Sequence, residues 1–259
     1  MTILQSIILG LVQGLTEFLP ISSSGHLVLF QRFFGLKEAV LTFDVLVHLG
    51  TLVAVVAVFW RDIVSIIKRP WQRLSLLIIV ATIPTGIMGL ALKDFFEMLF
   101  QSGKSLGIEF LVTGLIIWAA DNIKERDKGI EKISYFDAAF VGVMQGIAIL
   151  PAISRSGLTI AGSLFRGINR ETAARFSFLV SIPAIAGASL LDLKNISIQS
   201  LPPGAGPAYV IGPVVAAVSG YWAIRFMIRI LQRGSLRGFA YYVWALGLVV
   251  IALQLTGRL

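Results

Sequence analysis

The residues of this chain equipped to do chemistry stand in two short stretches. From Gln13 to His26 the sequence reads QGLTEFLPISSSGH, which places a carboxylate (Glu17), three hydroxyls (Ser22, Ser23, Ser24) and an imidazole (His26) in an apolar run broken by Pro20 and Gly25. From Gln145 it reads QGIAILPAISRSGL, and a shift of 132 residues carries Gln13, Gly14, Ser22, Ser24 and Gly25 onto Gln145, Gly146, Ser154, Ser156 and Gly157. Polar groups in such surroundings are costly and mark function. Gln13 and Glu17 are four apart, so on a helix they share a face. After Pro20, the serines read as the start of a returning helix, where hydroxyls and free backbone N–H groups make a phosphate site. His26, three residues beyond Ser23, lies within reach of the same face. A serine hydroxyl beside an imidazole base suits phosphoryl transfer.

The second stretch supplies positive charge. Ser154, Arg155 and Ser156 open another helix, with Thr159 about one turn on. An arginine at a membrane helix centre costs roughly 2.5–3.5 kcal/mol, which a buried anion offsets through paired hydrogen bonds to the guanidinium. If both helix starts meet near the midplane, their N–H groups and Arg155 converge on one anion. Glu17 would repel that anion unless protonated or bridged by a hard cation such as Mg²⁺ or Ca²⁺. Simpler roles compete: Ser22 and Ser24 as local caps, Gln13 and Gln145 as cross-helix hydrogen bonds, Glu17 and Arg155 as a structural ion pair. His48 reads as a packing histidine in an apolar span and Asp44 as an interface residue at its entrance.

The elements that must position these groups are membrane helices. The 259 residues are 56% hydrophobic and 14% charged, with a mean hydropathy of +0.86. Apolar runs of about 20 residues recur with the charges gathered between them, which excludes a soluble domain. Cysteine is absent, so there is no disulfide framework or thiolate metal site. The N-terminus lacks the basic region of a signal peptide and reads as retained structure. The net charge of +8 marks cytoplasmic loops rather than a nucleic-acid partner. Six segments qualify as spans or come close, at about 40–60, 74–92, 105–120, 172–191, 208–228 and 238–256. Two pairs too short or too polar to cross alone, 3–18 with 21–34 and 135–150 with 154–166, are each broken by one of the motifs, as in a re-entrant hairpin.

The expected fold is therefore an all-α, polytopic integral membrane protein: an inverted-topology repeat with two re-entrant helical hairpins and six full spans. It forms a single membrane domain, residues 1–259, with internal repeats at about 1–128 and 129–259. Three spans per half invert the second half. The crossings assign fifteen of the 22 Lys and Arg to one side and six to the other, with Arg155 inside a hairpin. By the positive-inside rule both termini lie outside. Residues 121–134 form the cytoplasmic connection, and LPPGAGP from Leu201 forms an external loop. Pro84 and Pro183 are expected to kink their spans, and Gly86, Gly89 and Gly187 to allow close helix packing. Inverted repeats with broken helices are also a transporter plan, so a carrier or polyprenyl-phosphate flippase is the alternative to an enzyme.

On these motifs the chain resembles the undecaprenyl-diphosphate phosphatase family, linked to bacitracin resistance, along essentially its whole length. That family carries E/Q-x-x-x-E, matched here by Gln13 to Glu17, and P-G-x-S-R-S-x-x-T, matched by Pro151, Ile153, Ser154, Arg155, Ser156 and Thr159, with Ala152 in place of the glycine. Ser23 and His26 also match functional positions. The resemblance implies a multi-pass enzyme of the bacterial cell (inner) membrane that hydrolyses the polyprenyl diphosphate lipid to the monophosphate and inorganic phosphate, recycling the carrier for cell-wall synthesis. It further implies divalent-metal dependence and an active site open to the outer face. In that reading Arg155 and the helix starts, with Ser22, Ser154, Ser156 and Thr159, hold the diphosphate. Glu17 binds the metal with help from Gln13, and Ser23 is the nucleophile assisted by His26, or water attacks directly with His26 as base.

Overall fold

Capping chemistry repeats along the chain with the same 132-residue offset as the motifs. The computed structural model describes residues 1–36, 40–124, 127–193 and 206–257. Thr2 caps α1 (Ile3–Phe18) through a reciprocal box with Gln5, and Ser134 caps α8 (Tyr135–Ile147) through one with Asp137. Each helix carries the opening residues of its motif and ends before the turn. The chain then returns as α2 (Ser23–Phe33) and α9 (Arg155–Phe165), capped by Ser22 and Ser154. Gly35 and Gly167, again 132 apart, take the left-handed conformation (φ +66° and +74°) that lets the chain turn out of these helices. At 11 to 16 residues, none of the four spans a core of about 30 Å at about 1.5 Å per residue.

Around the hairpins lie α3 (Val40–Val58), α5 (Arg73–Ala91), α7 (Leu106–Asp121), α10 (Arg170–Leu193), α11 (Gly206–Arg233) and α12 (Arg237–Leu255). Five of them, all but α7, are long and apolar enough to cross a membrane. The expected span at 105–120 is α7, which has 16 residues and reaches crossing length only together with α6 (Lys93–Ser102), which meets it at 111°. α7 itself is one unbroken helix at the expected place, and α6 lies outside it as the other arm of a bent pair. Its polar arm carries Lys93 and Glu97, paired at 3.5 Å. A further short helix, α4 (Trp60–Lys68), follows α3 after a break at Phe59. Among the described residues there is no strand, only an isolated bridge between Lys128 and Ile168.

Helix α1 packs along α11 and α8 along α5, while α7 pairs with α12 and α3 with α10. Backbones approach closely at Gly10, where a Cβ would fall 2.4 Å from the Gly212 carbonyl oxygen, and at Gly142, 2.0 Å from that of Ala81. This close packing was expected of Gly86, Gly89 and Gly187. Gly89 does face the Ile149 side chain, but Gly86 and Gly187 look into open space, because their sides of α5 and α10 carry no neighbouring helix. Pro84 and Pro183 do lie inside helices, as does Pro213. Large apolar side chains form exposed stripes, Ile79, Ile83, Ile87 and Leu90 on α5 and Val210, Val214, Val218 and Trp222 on α11. Such outward apolar faces suit lipid, not water.

Basic residues assigned to one side meet at one end of the bundle. Lys128 and Arg166 hold the Asp137 carboxylate at 2.7 and 2.8 Å, Arg170 and Arg237 hold Asp121 at 3.0 and 3.5 Å, and Arg175 pairs with Asp62. Lys37, Arg126, Lys194, Arg258 and residues 201–205 of the loop expected from Leu201 lie outside the described residues, while its last two residues, Gly206 and Pro207, open α11.

Candidate functional site: two hairpin tips around one carboxylate

The hairpin tips are locked together by a reciprocal pair of hydrogen bonds. Ser24 Oγ donates to the Pro151 carbonyl at 2.5 Å, and Ser156 Oγ donates to the Leu19 carbonyl at 2.9 Å. Since Ser156 and Pro151 stand 132 residues after Ser24 and Leu19, each tip treats the other as the other treats it. Ser22 Oγ accepts the Gly25 N–H at 3.3 Å, and Ser154 Oγ accepts the Gly157 N–H at 3.1 Å. The local-cap role considered for Ser22 and Ser24 is therefore realised by Ser22 and by its counterpart Ser154, whereas Ser24 bonds across to the other tip; the N–H groups of the first helical turns are directed at the tip.

Between the tips sits Glu17, 7% exposed. Its Oε2 accepts Gln13 Nε2 from the preceding turn at 2.9 Å and Ser23 Oγ at 2.5 Å, and its Oε1 accepts Arg155 Nη2 at 2.6 Å. Ser23 and Arg155 are 132 residues apart, so the first residue of each returning helix grips one oxygen of the same carboxylate. Two groups remain unpaired in this centre: Gln13 Oε1 and Arg155 Nη1 are buried without a hydrogen-bond partner. A buried guanidinium nitrogen and a buried amide oxygen left open are costly unless a ligand uses them.

Several expectations change on contact with the geometry. Ser23 and His26 do not pair. A side chain on a helix leans toward the preceding turn, and there His26 Nδ1 meets the Ser22 carbonyl at 2.6 Å. A carbonyl only accepts, so Nδ1 carries the proton and Nε2 accepts the Tyr242 hydroxyl at 2.8 Å. The two rings stack at 5.8 Å and 9°, and Phe110 meets His26 edge-on at 5.6 Å. Thr159 points away from the tips, donating to its own helix at the Arg155 carbonyl (2.8 Å) and meeting Ser177 Oγ at 2.5 Å. Gln145 bonds across to Thr85 Oγ1 at 3.2 Å, the cross-helix role, whereas Gln13 serves Glu17. His48, expected in packing, stands with Nε2 3.8 Å from Glu17 Oε2.

Sequence reasoning passed over three participants. Glu109, a carboxylate inside an apolar segment, accepts the Ala152 N–H at 2.7 Å, and Thr113 takes the Ala152 carbonyl as acceptor at 3.0 Å. Ala152 is pinned at both backbone groups without a positive φ, so the missing family glycine changes no backbone requirement. Glu109 was detectable as an acid within a span. Tyr242 was not, because its partner lies 216 residues away. Among the described residues no group of three His, Asp or Glu gathers to hold a metal, so an ion here needs amide or hydroxyl oxygens as well.

Fold and site together define a polytopic helical membrane protein with one buried polar centre, assembled from two broken hairpins and holding an acid, a hydroxyl and a guanidinium. The profile of the family described as bacitracin resistance protein BacA matches residues 6–249. The chain belongs to the BacA family. It is 58% identical to a protein of Carboxydothermus hydrogenoformans named undecaprenyl-diphosphatase, with 98% of each chain covered. It is 46% identical to the undecaprenyl-diphosphatase of Halothermothrix orenii and 47% identical to undecaprenyl-diphosphatase 4 of Bacillus thuringiensis, again with 98% of each chain covered.

Proposed function

We propose that this chain is an integral membrane phosphatase that cleaves undecaprenyl diphosphate to undecaprenyl phosphate and inorganic phosphate, returning the lipid carrier to cell-wall synthesis. The observation that carries the reading is the buried centre in which Arg155 Nη1 has no partner while Ser23 Oγ lies 2.5 Å from a carboxylate able to take its proton. The relatives named undecaprenyl-diphosphatase supply the substrate. Arg155 and the N–H groups at the two helix starts hold the diphosphate. Ser23 Oγ passes its proton to Glu17 and attacks the terminal phosphorus. The bond from that phosphorus to the bridging oxygen breaks, undecaprenyl phosphate leaves, and water then releases phosphate from Ser23. Glu17 takes the base role expected of His26. His26 instead fixes the Ser22 carbonyl and with it the start of α2.

A hard divalent cation, Mg²⁺ or Ca²⁺, fits the donor set. Glu17 offers carboxylate oxygen and Gln13 a buried, unpartnered Oε1. Bound there, it would neutralise charge on the diphosphate.

The reciprocal contacts at a constant offset support an inverted repeat, residues about 1–128 and 129–259, and the clustered basic residues at one end support a cytoplasmic assignment of that end. On that assignment both termini face outward and the first hairpin opens to the outer face. The test is phosphate release from a long-chain prenyl diphosphate by purified protein in detergent, where no transport can be scored. Metal-dependent release that disappears in Glu17→Ala and Arg155→Ala is the expected result, and its absence from the unsubstituted protein would overturn the enzyme in favour of a carrier.

A further inference from the structure

Two histidines are present in the chain, and each has its protonation pattern set by a backbone carbonyl. For His48 the carbonyl is that of Asp44, one turn back in α3, at 2.7 Å from Nδ1. The proton therefore sits on Nδ1, and Nε2 presents a lone pair. A backbone carbonyl on one ring nitrogen is the arrangement that orients imidazole ligands in metal sites. The Nε2 lone pair faces Glu17 Oε2, itself an acceptor, at 3.8 Å. That distance is too long for a direct hydrogen bond. It lies within the about 4.2 Å that two donors can span when each is bonded to one ion at about 2.1 Å. Gln13 completes the face. Its Oε1 is buried without a partner while its Nε2 touches the same Glu17 oxygen, so turning the amide over puts a second oxygen at that place. Arg155 occupies the other carboxylate oxygen, Oε1, so a cation on Oε2 takes the place now held by the Gln13 amide N–H and shares that oxygen with the Ser23 hydroxyl.

We infer that His48 Nε2 is a cation ligand, joining Glu17 and Gln13 in a site with one nitrogen and several oxygens. This rests on the cation site proposed above and changes its selectivity. An imidazole nitrogen shifts the site from Mg²⁺ and Ca²⁺ toward later first-row ions such as Fe²⁺ and Zn²⁺, with Mn²⁺ serving as the paramagnetic probe of the ligand set, and Asp44 becomes the residue whose backbone orients the ligand.

The experiment loads the full chain, free of any polyhistidine tag, with Mn²⁺ in detergent and records electron spin echo modulation. Modulation from a directly bound imidazole nitrogen is expected. It should change when histidine is labelled with nitrogen-15, disappear in His48→Gln and persist in His26→Gln. Equilibrium binding of Mn²⁺ should weaken about tenfold or more in His48→Gln, with a smaller change for Mg²⁺. Mn²⁺ bound without nitrogen modulation, no binding at all, or modulation abolished by His26→Gln alone would each overturn the inference. The labelling arm uses the unsubstituted chain, so the result does not depend on a variant folding. Phosphate release is scored separately on the same preparations. Coupling without release keeps the ligand and removes the phosphatase, and release without coupling does the reverse.

Discussion

The two hairpins are built by the same devices and carry opposite chemistry. Both have a capped entry helix, a serine cap on the returning helix, a cross-tip serine bond and a terminal glycine at matching positions. What differs is concentrated at three places. Glu17 stands where the second hairpin has Ile149, Ser23 where it has Arg155, and His26 where it has Leu158. The packing differs as well: nine of the eleven residues of α9 are buried against five of eleven in α2, so α9 is the more deeply enclosed of the two returning helices. The shared devices fix where the two helix starts point, and the exchanged residues decide that the first hairpin brings an acid from the end of α1 and a hydroxyl from the start of α2, while the start of α9 brings guanidinium. Neither hairpin holds a complete site.

The sharpest way to break this division is to remove the charge the second hairpin lends the first. Arg155→Ala should lower phosphate release on the order of 10³-fold, the scale of losing a positioned electrostatic group. It should also destabilise the protein, because a buried carboxylate loses its partner, at a cost of about 3–5 kcal/mol. Pairing it with the neutral partner change, Glu17→Gln with Arg155→Met, should restore most of the thermal stability while leaving release abolished. Recovery of release in the double variant would reduce the pair to scaffolding.

Next in size is the position where the hairpins exchange hydroxyl for guanidinium. Ser23→Ala should reduce turnover about 10²–10⁴-fold and abolish any trapped phosphoserine, with unfolding temperature little changed because Gln13 and Arg155 still hold Glu17. Normal turnover in Ser23→Ala would move the attack to water.

Much of this comparison was legible in the chain. Pro20 and Pro151 break the apolar runs, the serines after them announce caps, and a lone arginine in a membrane run requires an anion, which Glu17 supplies. What stayed hidden depends on register between distant helices. Thr159 has motif spacing, yet α10 brings Ser177 to it and turns it from the site. His26 is captured by Tyr242, and His48 meets Glu17 only because α3 lies alongside α1. Local periodicity states which face a residue occupies, not which neighbour that face meets.

A smaller effect should come from the clasp the hairpins share. Ser24→Ala and Ser156→Ala each remove one hydrogen bond to a carbonyl of the opposite tip, worth about 1 kcal/mol. If the tips act as one unit, the double variant should cost less or more than the sum of the singles, the signature of coupled sites. Strict additivity in thermal unfolding would mean the two bonds act independently and the symmetry of the clasp is only formal.

The finest contrast is between the caps themselves. Ser22 has φ +67° and is the only non-glycine residue with positive φ among those described, whereas Ser154 has an ordinary φ of −73°. The strain at Ser22, of order 1 kcal/mol or more, turns its carbonyl onto His26 Nδ1, and the second hairpin, with Leu158 at that place, has no such demand. Replacing either serine by glycine loses a cap oxygen, which costs a few tenths of a kcal/mol, and adds unfolded-state freedom, which costs about 0.5–1 kcal/mol. At Ser22 relief of the left-handed strain offsets these losses, so Ser22→Gly should leave the unfolding temperature nearly unchanged, while Ser154→Gly should lower it by an amount matching about 1 kcal/mol. Equal losses at both positions would show that Ser22 holds its conformation without strain, and that the first hairpin gives up no stability to orient His26.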